Sequence, residues 1–210
     1  MKKLAIAFFA LIGLVVVLGL SMIGSYNGLV GQQQAVNASW AQVLNQYQRR
    51  ADLVPNLVKT VQGSADFEKS TLESVVNARA SVGRVNIDVS KAPEDGAAFQ
   101  KFQAAEQQFG GSLQRLLLVA ERYPDLKASA GFRDLQAQLE GCENRIAVER
   151  GRFNEVAQSY NTRIRSFPAL LYAGALGFNP KAYFQADAGA EKAPEVNFNF
   201  NGTNAPANSR

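Results

Sequence analysis

The chain begins with an uninterrupted apolar run. Residues 4–23 contain no charged side chain over 20 positions. Because an α-helix rises about 1.5 Å per residue, a helix of this length spans the ~30 Å hydrocarbon core of a bilayer. The apolar region of a cleaved signal peptide is shorter, typically about 7 to 15 residues, and ends in small residues. We therefore predict an uncleaved transmembrane anchor over residues 1–25, with the lipid bilayer as a partner.

Charges on either side of this run predict its orientation. Lys2 and Lys3 precede the apolar run, whereas the first cation after it is Arg49. Positive charge is retained on the cytoplasmic side, so we expect a cytoplasmic N-terminus and an extracytoplasmic, periplasmic domain. Gly24 and Gly28 form a small-xxx-small pair and are candidates for packing two anchors together.

Helical periodicity continues directly after the anchor. Apolar residues recur at spacings built largely from threes, fours and sevens, which is typical of a helix with one buried stripe. They are Leu29, Val36, Trp40, Val43, Tyr47, Val54, Leu57, Val61, Leu72 and Val75. The pattern predicts that the anchor continues into the domain as one rod.

A proline interrupts this rod in the stretch "RRADLVPNLVKTV". Pro55 has no backbone N–H, and its ring clashes with the carbonyl four residues earlier, so a helix that crosses it is expected to kink or restart. Asp52 or Asn56 could cap such a restart through its side chain. We interpret Asp52, Pro55 and Asn56 as a structural joint.

The rest of the chain predicts two further long helices. Gly, Pro, Asp and Ser residues in 81–96 indicate a loop, after which a helix of about 25 residues begins at Ala97. Pro124 disfavours the α conformation of the residue before it and ends that helix. A last long helix covers Phe132–Ile164 and ends before Pro168.

These segments predict an all-α fold, an antiparallel bundle of long helices over residues 26–186. Counting the break at Pro55, the bundle has about four segments. Residues 167–184 are apolar but broken by Gly and Pro, so we expect them to pack across the end of the bundle or to lie at the membrane surface. Residues 187–210 are predicted to be a disordered tail. Within the tail, "EVNFNFN" alternates like a strand that could dock on a partner, or it is simply part of the tail.

Composition removes several classes of function. The 22 Lys and Arg residues barely exceed the 18 Asp and Glu residues, which argues against a nucleic-acid binder. No histidine is present, so the commonest general base and metal ligand are missing. Cys142 is the single cysteine, and its place in a helical pattern predicts a buried core residue. We therefore expect no cofactor, no metal and no enzymatic activity.

Charged residues near the apolar stripes form a candidate ion-pair seam. We expect Arg49 or Arg50 to pair with Glu121, and Arg145 or Arg152 to pair with Glu143 or Glu149. A structural role is favoured, since a di-metal carboxylate site would need Glu-x-x-His motifs.

Several stretches of this chain resemble one family of bacterial membrane proteins. They are "SYNGLV", "RRADLVPNLVKTVQG", "LESVVNARA", "VAERYPDLKAS", "ENRIAVERGRFNEVAQSYNTRIRSFPALL" and "GFNPKAYFQAD". Together they are similar to the LemA family, over nearly the whole chain. The resemblance implies an all-helical domain behind a single membrane span, with no established enzymatic activity or cofactor. Members are often described with the N-terminus outside the cell, opposite to the orientation that the two lysines predict for this chain in the inner membrane.

We expect a non-catalytic, membrane-anchored helical scaffold that forms a homo-oligomer or binds another envelope protein. The alternative is a sensory or regulatory module that binds an envelope ligand between its helices. A polar pocket around Arg49, Asp52 and Arg145 would favour that alternative. An enzyme that uses Asp, Glu, Tyr or Arg side chains alone is a third hypothesis.

Overall fold

One helix runs from the N-terminus to the far end of the bundle. The structure, a computed structural model, describes residues 2–63, 67–84 and 93–185. Helix α1 covers Lys2–Gln62, which is 61 residues. Its N-terminal part is apolar and long enough to cross a membrane, and large side chains such as Phe9 and Leu20 are exposed there. The predicted continuation of the anchor into the domain as one rod is therefore observed.

The first helix ends just before Gly63 and is not interrupted at Pro55. Helix α2 begins six residues later and covers Lys69–Arg84, so the prediction that one helical stripe continues to Val75 was wrong. Leu72 follows Val61 by 11 residues, which is close to three helical turns. The apolar pattern therefore stays in phase across the turn and conceals it. α2, and not a second piece of α1, provides the fourth long segment.

Pro55 lies inside α1, which continues through it. Pro55 cannot donate to the carbonyl of Ala51, four residues earlier. That carbonyl instead accepts a hydrogen bond from Nε of Arg79 on α2, at 3.0 Å. A donor from the neighbouring helix thus compensates for the missing N–H, and the predicted restart of the helix does not occur.

The two residues expected to cap that restart have other contacts. The carboxylate of Asp52 accepts a hydrogen bond from Gln48 within the same helix, at 2.7 Å, and is exposed. The backbone carbonyl of Asn56 accepts from the Thr60 hydroxyl at 2.9 Å. The Asp52 side chain therefore lies on a solvated face, because an unbroken helix has no free N–H groups at this point to cap.

The later helices begin at clear caps. Helix α3 covers Gly96–Ala120, and the Asp95 carboxylate accepts from the N–H groups of the first turn. A short helix, α4, covers Pro124–Ala128 and has the proline in its first turn, where a missing N–H costs nothing. Helix α5 covers Ala130–Ile164 and is capped by the Ser129 hydroxyl.

The helices form two antiparallel pairs, α1 with α5 and α2 with α3. The core nearer the anchor centres on Trp40, whose ring lies 5.3–5.8 Å from four phenylalanine rings. The distal core contains Leu57, Leu116 and Phe132. Cys142 is buried, as predicted. The all-α bundle is confirmed, and the described residues contain no strand.

The chain after α5 turns back along the bundle. Residues 165–177 form a compact loop that includes a 3₁₀ turn at Ala169–Leu171. Residues 178–185, which we name the strap, then run in extended form between α3 and α5. The expectation that this region packs across the bundle end thus describes its first half only. The predicted tail, 187–210, with its strand-like stretch, lies outside the described residues.

Candidate functional site

A charged residue lies inside the bundle at mid-height. Arg50 on α1 is 3 % exposed. Its guanidinium lies over the rings of Tyr47 and Phe109, at 5.3 and 5.0 Å from their centres. Such cation–π contacts are strongest where water is excluded.

Two carboxylates form ion pairs with this arginine. Its Nη2 donates to the Glu106 carboxylate on α3 at 2.5 Å, and its Nη1 donates to Glu143 on α5 at 2.6 Å. Glu106 is buried and its backbone carbonyl also accepts from Nη2, at 3.3 Å. Glu143 is half exposed. We name Arg50, Glu106 and Glu143 the buried triad, which joins the three helices α1, α3 and α5.

The sequence carries a signal for two members of this triad. Arg50 follows Tyr47 by three residues and precedes Val54 by four, so it occupies a position in the apolar stripe of α1. Glu106 lies between Phe102 and Phe109 at the same spacings on α3. A charge in a buried stripe needs a buried partner. Sequence reasoning missed Glu106 because it compared charges only with other exposed charges.

The surroundings shift the acid–base behaviour of the triad. Burial opposes the charge of Arg50, but the interactions with Glu143 and Glu106 outweigh it and raise the pKa of the guanidinium. Burial raises the pKa of the Glu106 carboxyl; the attraction of Arg50 opposes this shift and the charge of Glu143 adds to it. Burial also raises the pKa of the Tyr47 hydroxyl to about 12. With all three members ionised, the triad has one net negative charge.

The triad forms the floor of an open cleft between α3 and α5. The cleft has a volume of about 310 Å³, and its wall on α3 is polar, with Gln103, Gln107 and Gln114. Gly110 and Gly111 leave its centre without side chains. A Cβ on Gly110 would lie 3.3 Å from Nη1 of Arg50, so glycine is what allows the guanidinium to approach the helix backbone this closely.

A second hollow of about 400 Å³ extends the cleft towards the distal end of the bundle. Gly110, Gln114 and Glu143 line both hollows, and Leu117 and Leu139 line the far one. The two hollows adjoin each other at these shared residues. We name them together the α3–α5 groove.

The strap approaches this groove from the membrane-near end and is held by asparagine side chains. Asn161 pairs with both backbone groups of Lys181, and each hydrogen bond is 2.8 Å long. Asn154 pairs in the same way with Phe184, at 2.9 Å. The two asparagines are seven residues apart on α5, and the two strap residues that they bind are three residues apart. Both separations correspond to about 10 Å, for a helix and for an extended chain respectively, so the side chains match the strap.

The described part of the strap ends where the α3–α5 groove begins. The carbonyl of Gln185 accepts from Arg150 at 3.2 Å and from Gln103 at 3.4 Å. Both of these side chains also line the cleft over the triad. The groove is therefore a direct continuation of a channel that already holds an extended polypeptide.

The matched part of the chain includes the bundle, the groove and the strap. The sequence model of the LemA family matches residues 39–198. This chain belongs to the LemA family. The membership predicted from the sequence stretches is thereby confirmed.

Several proteins similar in sequence to this LemA family chain are magnetosome proteins. The magnetosome protein MamQ of Magnetospirillum gryphiswaldense is 28 % identical over 196 residues, which cover 86 % of this chain and 71 % of MamQ. MamQ 2 of Paramagnetospirillum magneticum is 26 % identical over 179 residues, 76 % of this chain and 64 % of MamQ 2. The protein LemA of Metamycoplasma hominis is 23 % identical over 164 residues, 78 % of this chain and 70 % of that protein. None of these names is that of an enzyme, and together with the apolar part of α1 they indicate a membrane-associated protein.

The structure contains one of the predicted ion pairs, whereas Arg50 and Glu121 have other partners. Arg152 lies 2.8 Å from Glu149 on α5, as expected. Arg50 contacts Glu143 rather than Glu121. Glu121 pairs with Lys127, which lies just past the end of α3 and is nearer. The long-range pairing thus selects a glutamate on α5, because α1 and α5 are direct neighbours.

Arg49 and Arg145 lie together at a different hollow. It has a volume of about 270 Å³ and is also lined by Gly141 and Cys142. Asp52, which was expected to share a pocket with these arginines, does not line it. The predicted three-residue pocket is therefore reduced to two arginines.

The glycines proposed for anchor packing face open space in the single chain. Apart from the adjacent residues and backbone of α1, no described heavy atom lies within 4 Å of the place where a Cβ on Gly24 or Gly28 would stand. The surface that they form on α1 is accessible to a second helix. Anchor pairing through these glycines stays a prediction.

Proposed function

We propose that this LemA family member is a non-catalytic scaffold, anchored in the bacterial inner membrane by α1, that binds an extended segment of another envelope protein in the α3–α5 groove. The observation that carries the proposal is the position of the groove. It is an open continuation of the channel in which the strap already lies in extended form. The periplasmic side remains the side favoured by Lys2 and Lys3.

The walls of the groove suit a polypeptide backbone. The strap is held by side-chain amides that pair with its N–H and C=O groups. Gln103 already donates to the strap at Gln185, and Gln107 and Gln114 carry the same chemical group further along the wall of the groove. Amides bind backbone irrespective of sequence, as strand addition does at a sheet edge.

The length of the groove fits a short segment. From Gln103 to Leu117, α3 rises about 21 Å, which accommodates roughly six residues of extended chain. The near part is polar above the triad, whereas Leu113, Leu117 and Leu139 make the far part apolar. We therefore expect a partner segment with polar residues at one end and an apolar anchor residue at the other.

The triad supports binding rather than catalysis. Arg50 is held in place by two carboxylates, which accept from both of its terminal nitrogens, whereas its Nε–H is buried without a hydrogen-bond partner. The described residues contain no group of three or more acidic or cysteine side chains that could hold a metal ion. A rigid floor of this kind can position a ligand, but it offers neither a free general acid or base nor a metal site.

A photo-crosslinker tests this proposal in intact cells. The reactive side chain replaces Gln107, which lines the groove, or its neighbour Gln108, which is exposed on α3 but does not line it. We expect an adduct with another envelope protein from position 107 only. The adduct should disappear when Gly111→Trp fills the groove, since a Cβ on Gly111 meets no neighbouring side chain within 4 Å. A helical circular-dichroism spectrum and an unchanged melting temperature of this variant control for the folding of the bundle.

Other outcomes separate the alternatives. An adduct between two copies of the chain from position 107 would mean that the groove binds a second copy of this protein and not another envelope protein. A variant that ends after Gln185 tests whether residues 186–210 of the same chain compete for the groove, because the adduct would then become stronger. Equal adducts from positions 107 and 108, or none from either, would refute binding in the groove.

A sensory module is the second candidate, favoured by the hollow that Arg49 and Arg145 share. Two guanidinium groups at one hollow suit a small anion. Sulfate should then raise the melting temperature of the detergent-solubilised protein more than chloride at equal ionic strength. The extra shift should be absent in Arg145→Gln, and an unchanged shift would exclude this site.

A further inference from the structure

The loop between α5 and the strap exposes large apolar side chains. Phe167, Leu170, Leu171 and Leu176 are 56 to 73 % exposed. Elsewhere in the described bundle, exposed large apolar side chains occur singly, for example Val76 and Leu118. Clustered apolar exposure of this kind usually marks an interaction surface.

The loop lies beside the anchor. Leu171, Leu176 and Met22 line one apolar hollow of about 430 Å³, together with Tyr26 of α1. The Tyr26 ring also contacts Phe178, at 5.7 Å between centres. The exposed side chains therefore continue the apolar surface of α1 at the point where the anchor joins the bundle.

The core fixes the loop in this position. Ala169, Ala173 and Phe178 are buried in the membrane-near cluster, so the loop has one face on the bundle and one face open. The N–H of Ala173 donates to Ala169, and that of Phe178 donates to Ala173, at 2.8 and 2.9 Å. Leu170, Leu171 and Leu176 also donate their N–H groups to carbonyls within residues 166–173.

This internal hydrogen bonding suits a medium with little water. A backbone N–H without a hydrogen-bond partner is strongly destabilising in hydrocarbon. Leu170, Leu171 and Leu176 thus extend from residues whose N–H groups do not need water.

The exposed charges on the chain beside the loop are positive. Between Val156 and Gln185 the chain contains Arg163, Arg165 and Lys181 but no Asp or Glu. Lys181 is buried and paired with Glu94, so the two arginines carry the exposed charge. Arg163 and Arg165 are exposed at the end of α5, beside the loop. Arginines at this level can contact the anionic head groups of a bilayer while apolar side chains enter below them.

We propose that residues 165–177 form a second membrane contact, in which Phe167, Leu170, Leu171 and Leu176 insert into the head-group and upper acyl region of the bilayer that α1 crosses. This inference rests on the proposed anchor. With two contacts, the bundle is held at a fixed tilt and rotation on the membrane. The Asn161 end of the strap is then fixed near the membrane, and the groove opens further away from it.

Fluorescence quenching in liposomes tests the insertion. The full chain, with Cys142→Ala, carries one cysteine labelled with an environment-sensitive dye and is reconstituted with phosphatidylethanolamine and phosphatidylglycerol. The probe replaces Leu171 in the loop, Val16 in the anchor, or Leu118 at the distal end of α3. Leu118 is 71 % exposed and Leu171 is 73 % exposed, so these two positions are matched in solvent access but differ in distance from the anchor.

We expect a blue shift at Leu171 and quenching by lipids that carry a spin label near the head group. Val16 should be quenched by a label deep in the acyl chain, and Leu118 by neither label. A probe at Leu176 repeats the measurement if the Leu171 variant does not reconstitute. If Val16 is quenched while Leu171 and Leu176 behave like Leu118, the anchor is supported and the second contact is refuted. If Val16 is not quenched, both the anchor and the contact are refuted.

Discussion

Nε of Arg79 on α2 donates to the carbonyl of Ala51 on α1 at 3.0 Å, the carbonyl that Pro55 cannot bond. This hydrogen bond explains how a 61-residue helix continues through a proline. It also connects the antiparallel pair of α2 and α3 to α1 at the level of the buried triad. The proline is thus part of the contact between α1 and α2 and not a joint within α1.

We expect Arg79→Ala to lower the free energy of unfolding by roughly 0.5–1.5 kcal/mol, the usual net contribution of one hydrogen bond. In a Pro55→Ala background the loss should shrink, because the substituted alanine supplies a backbone N–H of its own to the Ala51 carbonyl. Urea unfolding of the four proteins in this double-mutant cycle measures the coupling. Arg84→Ala is the matched control, since Nε of Arg84 bonds a carbonyl of its own helix. Losses that add without coupling would contradict the explanation.

Neighbouring glycines on α3 should respond differently to alanine. Gly111→Ala meets open space and should stabilise the protein by up to about 1 kcal/mol, because alanine is the better helix former. Gly110→Ala places a Cβ 3.3 Å from Nη1 of Arg50, and the hydrogen bond to Glu143 restrains that atom. Its gain should be smaller or reversed. Equal stabilisation in urea unfolding would show that Arg50 can move.

The two carboxylates of the triad should contribute unequally to stability. Glu106 is 6 % exposed, and Glu143 is 48 % exposed. Glu106→Gln leaves a buried cation without its buried partner and should cost about 3 kcal/mol or more. Glu143→Gln should cost about 1 kcal/mol or less, because water screens this pair. Losses of equal size, measured by urea unfolding, would mean that the burial of Glu106 has no energetic consequence.

Tyr47 should make stability depend on alkaline pH. Burial raises the pKa of Tyr47 from 10.0 to about 12 in the folded protein. A group with a raised folded pKa contributes stability that is present below pH 10 and is lost as the pH approaches 12. The loss due to Tyr47 should be at most roughly 3 kcal/mol. Tyr47→Phe should lose less stability than the original protein between a pH below 10 and a pH near 12. Equal losses would show that the Tyr47 hydroxyl is not shielded from water.

The fold could be predicted from the sequence because helical periodicity depends on neighbours three and four residues away. Trp40, Tyr47, Phe153 and Tyr160 all occupy the buried stripes that the spacing indicates. The same rule failed at Gly63, because the apolar spacing before and after the turn fits one continuous helical period. The spacing alone therefore does not reveal the turn. The position of a turn depends on which helices pack together, and periodicity within one segment does not contain this information.

The groove and the strap were not predictable in this way. Residues 178–185 have no helical period, and their partners Asn154 and Asn161 lie 20 to 30 residues earlier. Arg50 and Glu106 were detectable as charges in apolar stripes, yet their pairing spans 56 residues. Such contacts depend on which helices become neighbours in the folded bundle. Local sequence patterns within one helix do not contain this information.

The asparagine pairs make a prediction that links the strap to the groove. In Asn161→Asp the carboxylate still accepts from the N–H of Lys181, but it cannot donate to the Lys181 carbonyl or to the Tyr183 hydroxyl, as Nδ2 of Asn161 does at 2.8 and 2.7 Å. It would instead repel the carbonyl, so we expect local stability to fall by about 1–3 kcal/mol. Hydrogen exchange at the Lys181 and Phe184 amides should accelerate, while amides in the distal core stay protected. Asn77→Asp, on the exposed face of α2, is the control and should change neither. If the strap amides remain protected in Asn161→Asp, the asparagines do not hold the backbone, and the argument that amides of the groove recognise an extended segment loses its precedent.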